Sequence, residues 1–157
     1  MKRVSLVFLI LFSFFTLFSD SSETALLTLK YQAMAIGEIS LAYRLENLTM
    51  SLAAAKAVDK EYITAILDEV DATVSNGKSI LLVKNIAPDP LTKEIISAFD
   101  QLLNCSDKIK KYSSASAKIS TEEISKCMEL SRKKIDLLSE MYNKKHNKSN
   151  ANQQKQR

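Results

Sequence analysis

The stretch CSDKIKKYSSASAKISTEEISKC, residues 105–127, decides the fold of this chain. Its centre, Ser113 to Ser116, is a run of small residues that indicates a loop between two amphipathic segments. In an antiparallel helical hairpin that turns at this loop, Cys105 and Cys127 are nearly equally distant from the turn and therefore face each other. We predict a hairpin closed by a disulfide, which needs a Cα separation of about 5.5–6 Å. A redox-active or metal-binding pair is the weaker interpretation, because the spacing is not Cys-x-x-Cys and no histidine lies near.

The spacing of apolar residues predicts two helices upstream of the hairpin and the extent of the hairpin's own two. Asp59 is a good N-cap for the second helix, and Asp89 followed by Pro90 is the favoured start of the third. Ser120 and Glu123 form a capping box at the start of the fourth. The predicted helices cover residues 23–56, 60–85, 90–112 and 121–143.

Each predicted helix carries one row of residues, here called its seam, that we expect to face the core. The seam of the first helix advances by alternating steps of four and three, the heptad pattern of a coiled coil, and is interrupted by one polar residue. It comprises Leu27, Tyr31, Met34, Glu38, Leu41, Leu45, Leu48, Leu52 and Ala55. The other seams comprise Ile63, Leu67, Val70, Val74, Gly77 and Leu81, then Ile95, Phe99, Leu102, Ser106 and Ile109, then Ile124, Met128, Ser131, Ile135, Leu138 and Tyr142. The second seam keeps its phase through Asn76-Gly77, which favours a continuous helix over a strand at residues 80–83.

Four amphipathic helices with short connections predict an all-α fold, an antiparallel four-helix bundle of up-down-up-down order within residues 22–143. Only 2 Gly and 2 Pro occur in 157 residues, which argues against strand-rich folds because those need frequent turn residues. The alternative is a pair of helical hairpins that associate only in a dimer. Residues 144–157 contain one apolar residue, Ala151, so we expect a disordered basic tail.

Residues 1–21 have the form of an export signal, with Lys2 and Arg3 before an apolar run at residues 4–18. Small residues follow this run at the −3 and −1 positions of a cleavage site. As a helix the run is shorter than the ~30 Å hydrocarbon core of a bilayer. We therefore expect a periplasmic or secreted protein. The alternative is an uncleaved anchor that faces outside the cytosol and meets the membrane only through residues 4–18.

The formal net charge of +4 is distributed unevenly along the chain. Residues 22–143 contain 15 Lys and Arg against 17 Asp and Glu, whereas residues 144–157 contain five basic residues and no acidic one. A protein that binds nucleic acid needs a basic face on its folded domain. We therefore expect no nucleic-acid partner.

Two glycines, the only ones in the chain, fall at the same level of the first two helices. Glycine inside a helix costs up to about 1 kcal/mol, so each position needs a reason. The plainer reason is a close helix crossing, with Glu38 facing Lys78 as an ion pair. The alternative is a small-ligand pocket at this level. The level comprises Gly37, Glu38, Gly77, Lys78, Phe99 and Tyr142.

The chain lacks the residue sets of common active sites. His146 is its only histidine, which excludes a two-histidine metal site and a Ser-His-Asp triad. We predict no catalytic residue, no metal and no cofactor. The expected function is a non-enzymatic protein-interaction or structural module of the cell envelope that binds a partner protein or forms a homodimer. The alternatives are a periplasmic small-ligand sensor or carrier with a pocket near Glu38 and Gly77, and an enzyme whose carboxylates work without histidine.

Overall fold

The computed structural model describes residues 3–55, 59–114 and 120–155, and for residues 3–22, 153 and 155 it describes the backbone alone. Four helices and no strand make up this described part of the chain: α1 Arg3–Ala55, α2 Lys60–Val83, α3 Pro90–Ser113 and α4 Thr121–Lys155. The predicted all-α class is therefore confirmed. The predicted turn at Ser116 lies outside the described residues, as do the side chains of the predicted export signal.

The three predicted helix starts are confirmed by their hydrogen bonds. Asp59 caps α2 and Asp89 caps α3, and each carboxylate accepts from the backbone N–H three residues further on at 2.8 Å. At the start of α4, the Ser120 N–H donates to the Glu123 carboxylate at 3.1 Å, and the Glu123 N–H donates to the Ser120 hydroxyl at 3.2 Å. These bonds satisfy N–H groups that a helix leaves unpaired in its first turn.

Helix α2 runs unbroken through Asn76-Gly77 and ends at Val83, so no strand forms at residues 80–83. The chain leaves the helix through Asn85, whose φ of 50° lies in the left-handed region that asparagine tolerates. Its N–H donates to the carbonyl of Leu82 at 3.0 Å.

In α2, α3 and α4 the predicted seam is the side of the helix that faces the core. Every seam residue of α2 and α3 is buried, and in α4 only Ile135 and Tyr142 are half-buried. These residues form two adjoining apolar clusters. One contains Phe99, Leu102 and Leu138, and the other surrounds the two cysteines. Helix α1 packs against all three other helices, and α3 packs against α2 and α4.

The seam predicted for α1 is wrong, because none of its nine residues is buried. The opposite side of the helix faces the core instead. Its buried residues are Leu29, Gln32, Ala35, Ile39, Ala42, Glu46 and Thr49. Ala35, Ala42 and Thr49 alternate on this face with larger side chains, and these three small residues leave room for the neighbouring helices. The prediction followed the larger apolar residues, whereas the bundle selects the side that fits between three packed helices.

The expected disorder of residues 144–157 is also wrong for the part described, since α4 continues as a helix for about three turns past its predicted end. Lys145 explains this extension. Its ammonium pairs with the Asp89 carboxylate and donates to Oε1 of Gln32 at 3.0 Å. The lack of apolar residues after Asn143 does not reveal this polar attachment to two other helices.

Candidate interaction surface

Cys105 of α3 and Cys127 of α4 lie opposite each other at the separation that the hairpin requires. Their Cα atoms are 5.7 Å apart and their sulfur atoms are bonded. Both residues are buried in the second apolar cluster. Gln101 Nε2 donates to the carbonyl of Cys127 at 3.1 Å, which adds a polar link between the same two helices.

Gly77 is explained by close packing in the core. A Cβ atom at this position would lie 2.7 Å from Cε1 of Phe99 and 3.1 Å from Cβ of Glu38. The Phe99 ring is fully buried and fills the space beside the glycine. Gly77, Phe99 and Glu38, three members of the predicted level, therefore contact one another. They fill the space between the helices and do not line a pocket.

The other members of that level are not brought together. Lys78 pairs with Asp100 at 2.7 Å. Glu38 instead accepts a hydrogen bond from Asn76 Nδ2 at 3.3 Å. The predicted Glu38–Lys78 ion pair is therefore wrong. Gly37 lies on the outside of α1, where a Cβ atom would meet nothing within 4 Å.

A groove between α1 and α4 contains one residue of the predicted pocket. Its volume is ≈ 230 Å³, and it is lined by Ala33, Ile36, Ser139, Tyr142 and Asn143. Tyr142 is its single member from the predicted level. Ligand sites for small molecules usually enclose about 300–1,000 Å³ and present converging polar groups. This groove is smaller than such sites, and neither Glu38 nor Gly77 lines it.

Glu46 is a buried carboxyl that the sequence reading missed. Its side chain is fully buried, and neither of its oxygens has a hydrogen-bond partner among the described residues. Burial, with the nearby charge of Asp71, raises its pKa to about 9. Glu46 is therefore neutral at pH 7. Its spacing of seven residues places it on the same side of α1 as Ile39, the side that lies opposite the predicted seam.

Asp71 and its neighbours form a polar bridge between α2 and α3. Ser106 donates to Asp71 at 2.9 Å, and Lys110 Nζ lies 2.5 Å from Asp71 and 2.9 Å from Asp68. Partial burial acts to lower the pKa of Lys110. The two carboxylates outweigh this effect and raise that pKa. Within the described chain, no group of three or more His, Cys, Asp or Glu residues has the arrangement of a metal site.

A second polar cluster joins α1, α3 and α4. Gln32 Nε2 donates to Thr92 Oγ1 at 2.7 Å and to Asp89 at 3.1 Å. Partial burial acts to raise the pKa of Asp89. The hydrogen bonds from Lys145, the Thr92 N–H and Gln32 outweigh this effect and lower that pKa. This cluster holds the helices together and leaves no polar group converging on an open site.

The outward side of α1 carries a row of large apolar side chains, which we call the outer α1 face. It comprises Leu27, Met34, Leu41 and Leu48, each between 47 and 54 % exposed. Tyr31, Leu45 and Leu52 lie beside the row and are half-buried. Gly37 is on the same side, between Met34 and Leu41. The heptad residues of α1 thus form an exposed surface about 32 Å long at 1.5 Å per residue.

Exposed apolar residues on the other helices do not form such a row. They are Tyr62, Leu82, Val83 and Ile96, together with Leu130 and Leu137, which lie seven residues apart on α4. Scattered single apolar residues are normal on a protein surface, whereas a continuous stripe marks a binding site. The outer α1 face is therefore the candidate functional surface among the described side chains.

No helix among the residues with described side chains is both long enough and apolar enough to cross a membrane. In comparisons with known proteins, the chain matches no family model, no curated protein and no solved structure.

Proposed function

We propose that this protein is a non-enzymatic helical bundle that binds another helix through the outer α1 face. The observation that carries the proposal is the exposure of four large apolar side chains in one row on a helix whose opposite side already forms the core. Burying such a row removes apolar surface from water, at about 25 cal/mol for each Å². The bundle leaves this row in contact with water, so a partner that covers it would gain that free energy.

The spacing of the row specifies the kind of partner. Leu27, Met34, Leu41 and Leu48 are separated by seven residues at each step. Gln32, Ile39 and Glu46 of the buried face repeat at the same step, so the outer row keeps its side as α1 follows the bundle, and a second helix can pack along its whole length. The chemistry of the partner is therefore that of an amphipathic helix rather than a small molecule or a flat surface.

We further propose that the bundle has the antiparallel up-down-up-down order. The ion pairs Lys78–Asp100 and Lys110–Asp68 support it, since later residues of α2 pair with earlier residues of α3.

The proposed place of action is outside the cytosol, in the periplasm or after secretion. The basic and apolar pattern of residues 1–21 supports export, and the bonded pair Cys105–Cys127 fits an oxidising compartment. The proposal of a non-catalytic role rests on the sequence, in which His146 is the only histidine.

The test is site-specific photo-crosslinking in the cells that produce the protein. A photoreactive residue at Leu41 should give discrete crosslinked products. The same residue at Leu130, which is 53 % exposed on α4, serves as the matched control and should give none. Equal products at both positions, or none at Leu41, would show that the outer α1 face is not a binding surface.

A further inference from the structure

We propose that the partner of the outer α1 face is the same face of a second copy of this chain, packed antiparallel to the first. This inference rests on the proposed function and names its partner. It is an isologous contact, in which one surface meets itself across a two-fold axis. Such a contact requires that the surface match its own reverse in shape, in polarity and in charge.

The apolar residues of α1 meet this requirement. When two copies of α1 are placed side by side in opposite directions, one register brings Leu27 to Leu52 of the second copy. The same register brings Tyr31 to Leu48 of the second copy and Met34 to its Leu45. These six residues form apolar pairs, whereas Leu41 faces Glu38 of the second copy, and the two-fold axis passes between Ile39 and Ser40.

The charges of α1 also match in this register. Glu38, the one acidic residue within the heptad row, comes within side-chain reach of Arg44 of the second copy, and the symmetry repeats the pair. Within one chain these two residues are six positions apart and make no ion pair with each other. A parallel alignment would instead place the two Glu38 carboxylates at the same level, where like charges repel.

The exposed position of Gly37 is the third observation that supports the proposed pairing of two α1 helices. A helical glycine at an exposed site costs about 0.8–1 kcal/mol relative to alanine. Nothing in the described chain accounts for it, since a Cβ atom there would meet no atom within 4 Å. In the proposed pair Gly37 lies within one helical turn of the axis and within one turn of the level of Leu45 of the second copy. Its missing side chain lets the two helices approach closely.

The first experiment measures self-association by sedimentation equilibrium on the full disulfide-bonded chain. We expect a monomer–dimer equilibrium. Met34→Lys should raise the dimer Kd by at least about ten-fold, and Leu130→Lys should leave it unchanged. Circular dichroism should show equal helix content in both variants, because both positions are exposed. A chain that is monomeric at all concentrations overturns the inference.

The second experiment tests the register by exchanging charges. Glu38→Arg alone and Arg44→Glu alone should each weaken the dimer, and the double variant should restore it to within a few-fold of the original Kd. No change in either single variant, or no recovery in the double variant, overturns the antiparallel register.

The third experiment replaces the glycine. Gly37→Leu should weaken the dimer while leaving the diluted monomer at least as stable, because leucine is the better helix former. An unchanged dimer would contradict the close approach at this residue.

These outcomes separate the two proposals. If the purified chain is monomeric but Leu41 crosslinks in cells to a different protein, self-pairing is wrong and helix binding by the outer α1 face stands. If Leu41 gives no product beyond the Leu130 control, the binding function itself is wrong.

Discussion

Glu46 illustrates how a single buried group can set the response of the whole protein to pH. Its carboxyl is fully buried with no hydrogen-bond partner among the described residues, and its pKa is raised to about 9, from an ordinary 4.5, by burial and by the charge of Asp71. The folded state therefore binds a proton that the unfolded state releases above pH 4.5. The stabilisation is complete below that pH and is lost as the pH rises towards 9.

We expect the free energy of unfolding to fall as the pH rises from about 5 to about 9 on account of Glu46, by on the order of 1 kcal/mol per pH unit. Glu46→Gln should flatten this slope, because the amide has the same shape and does not ionise. Urea denaturation at a series of pH values is the measurement. Glu69→Gln, at an exposed position on α2, is the control and should retain the slope. An unchanged slope in Glu46→Gln would mean that Glu46 reaches water in the folded state.

Replacing each of the two glycines by alanine should have opposite effects on the free energy of unfolding. Gly77→Ala places a methyl group 2.7 Å from Cε1 of the buried Phe99 and should lower the free energy of unfolding by about 1–3 kcal/mol. Gly37→Ala places it in open space and should raise the value for the monomer by about 0.5–1 kcal/mol. Thermal unfolding at a concentration that keeps the chain monomeric compares the two. Similar effects at both positions would contradict the packing described for Gly77.

At the scale of elements, the sequence predicted three of the four buried faces and failed on the fourth. In α2, α3 and α4 one side of the helix is apolar, so periodicity alone identifies the buried row. Helix α1 is apolar on two sides, and Leu41 and Ile39 compete for the core with equal hydrophobic character. Periodicity cannot choose between two apolar rows, because the choice depends on the shapes of the helices around them. The heptad row of α1 can thus be found in the sequence. It was predicted to face the core, and in the structure it faces the solvent.

The part of α4 beyond its predicted end at residue 143 gives a prediction of its own. Ending the chain after Asn143 removes the ion pair of Lys145 with Asp89 and leaves the buried Gln32 without one of its donors. The free energy of unfolding should fall by about 1–2 kcal/mol. Ending the chain after Asn147 keeps Lys145 and should cost less than about 0.5 kcal/mol. If both truncations have equal stability in urea, the contacts of Lys145 do not contribute in solution.

For the whole molecule, the open question is where it works. We expect a fusion of residues 1–30 to a reporter that is active only outside the cytosol to show activity, because the basic and apolar start of the chain has the form of an export signal. Mass spectrometry of the mature protein should find its first residue between Ser21 and Ala25. An intact Met1 in a soluble cytosolic product would contradict both the export proposal and the compartment inferred from the disulfide.

Asp89 has a consequence for how the molecule opens. One carboxylate caps α3, accepts from Gln32 of α1 and pairs with Lys145 of α4, so three helices share it. The first turn of α3 cannot fray alone, because exposing its amides also breaks contacts of the other two helices. Its amide hydrogens should therefore exchange with solvent at the rate of a cooperative opening of all three helices, far more slowly than those of an ordinary helix end.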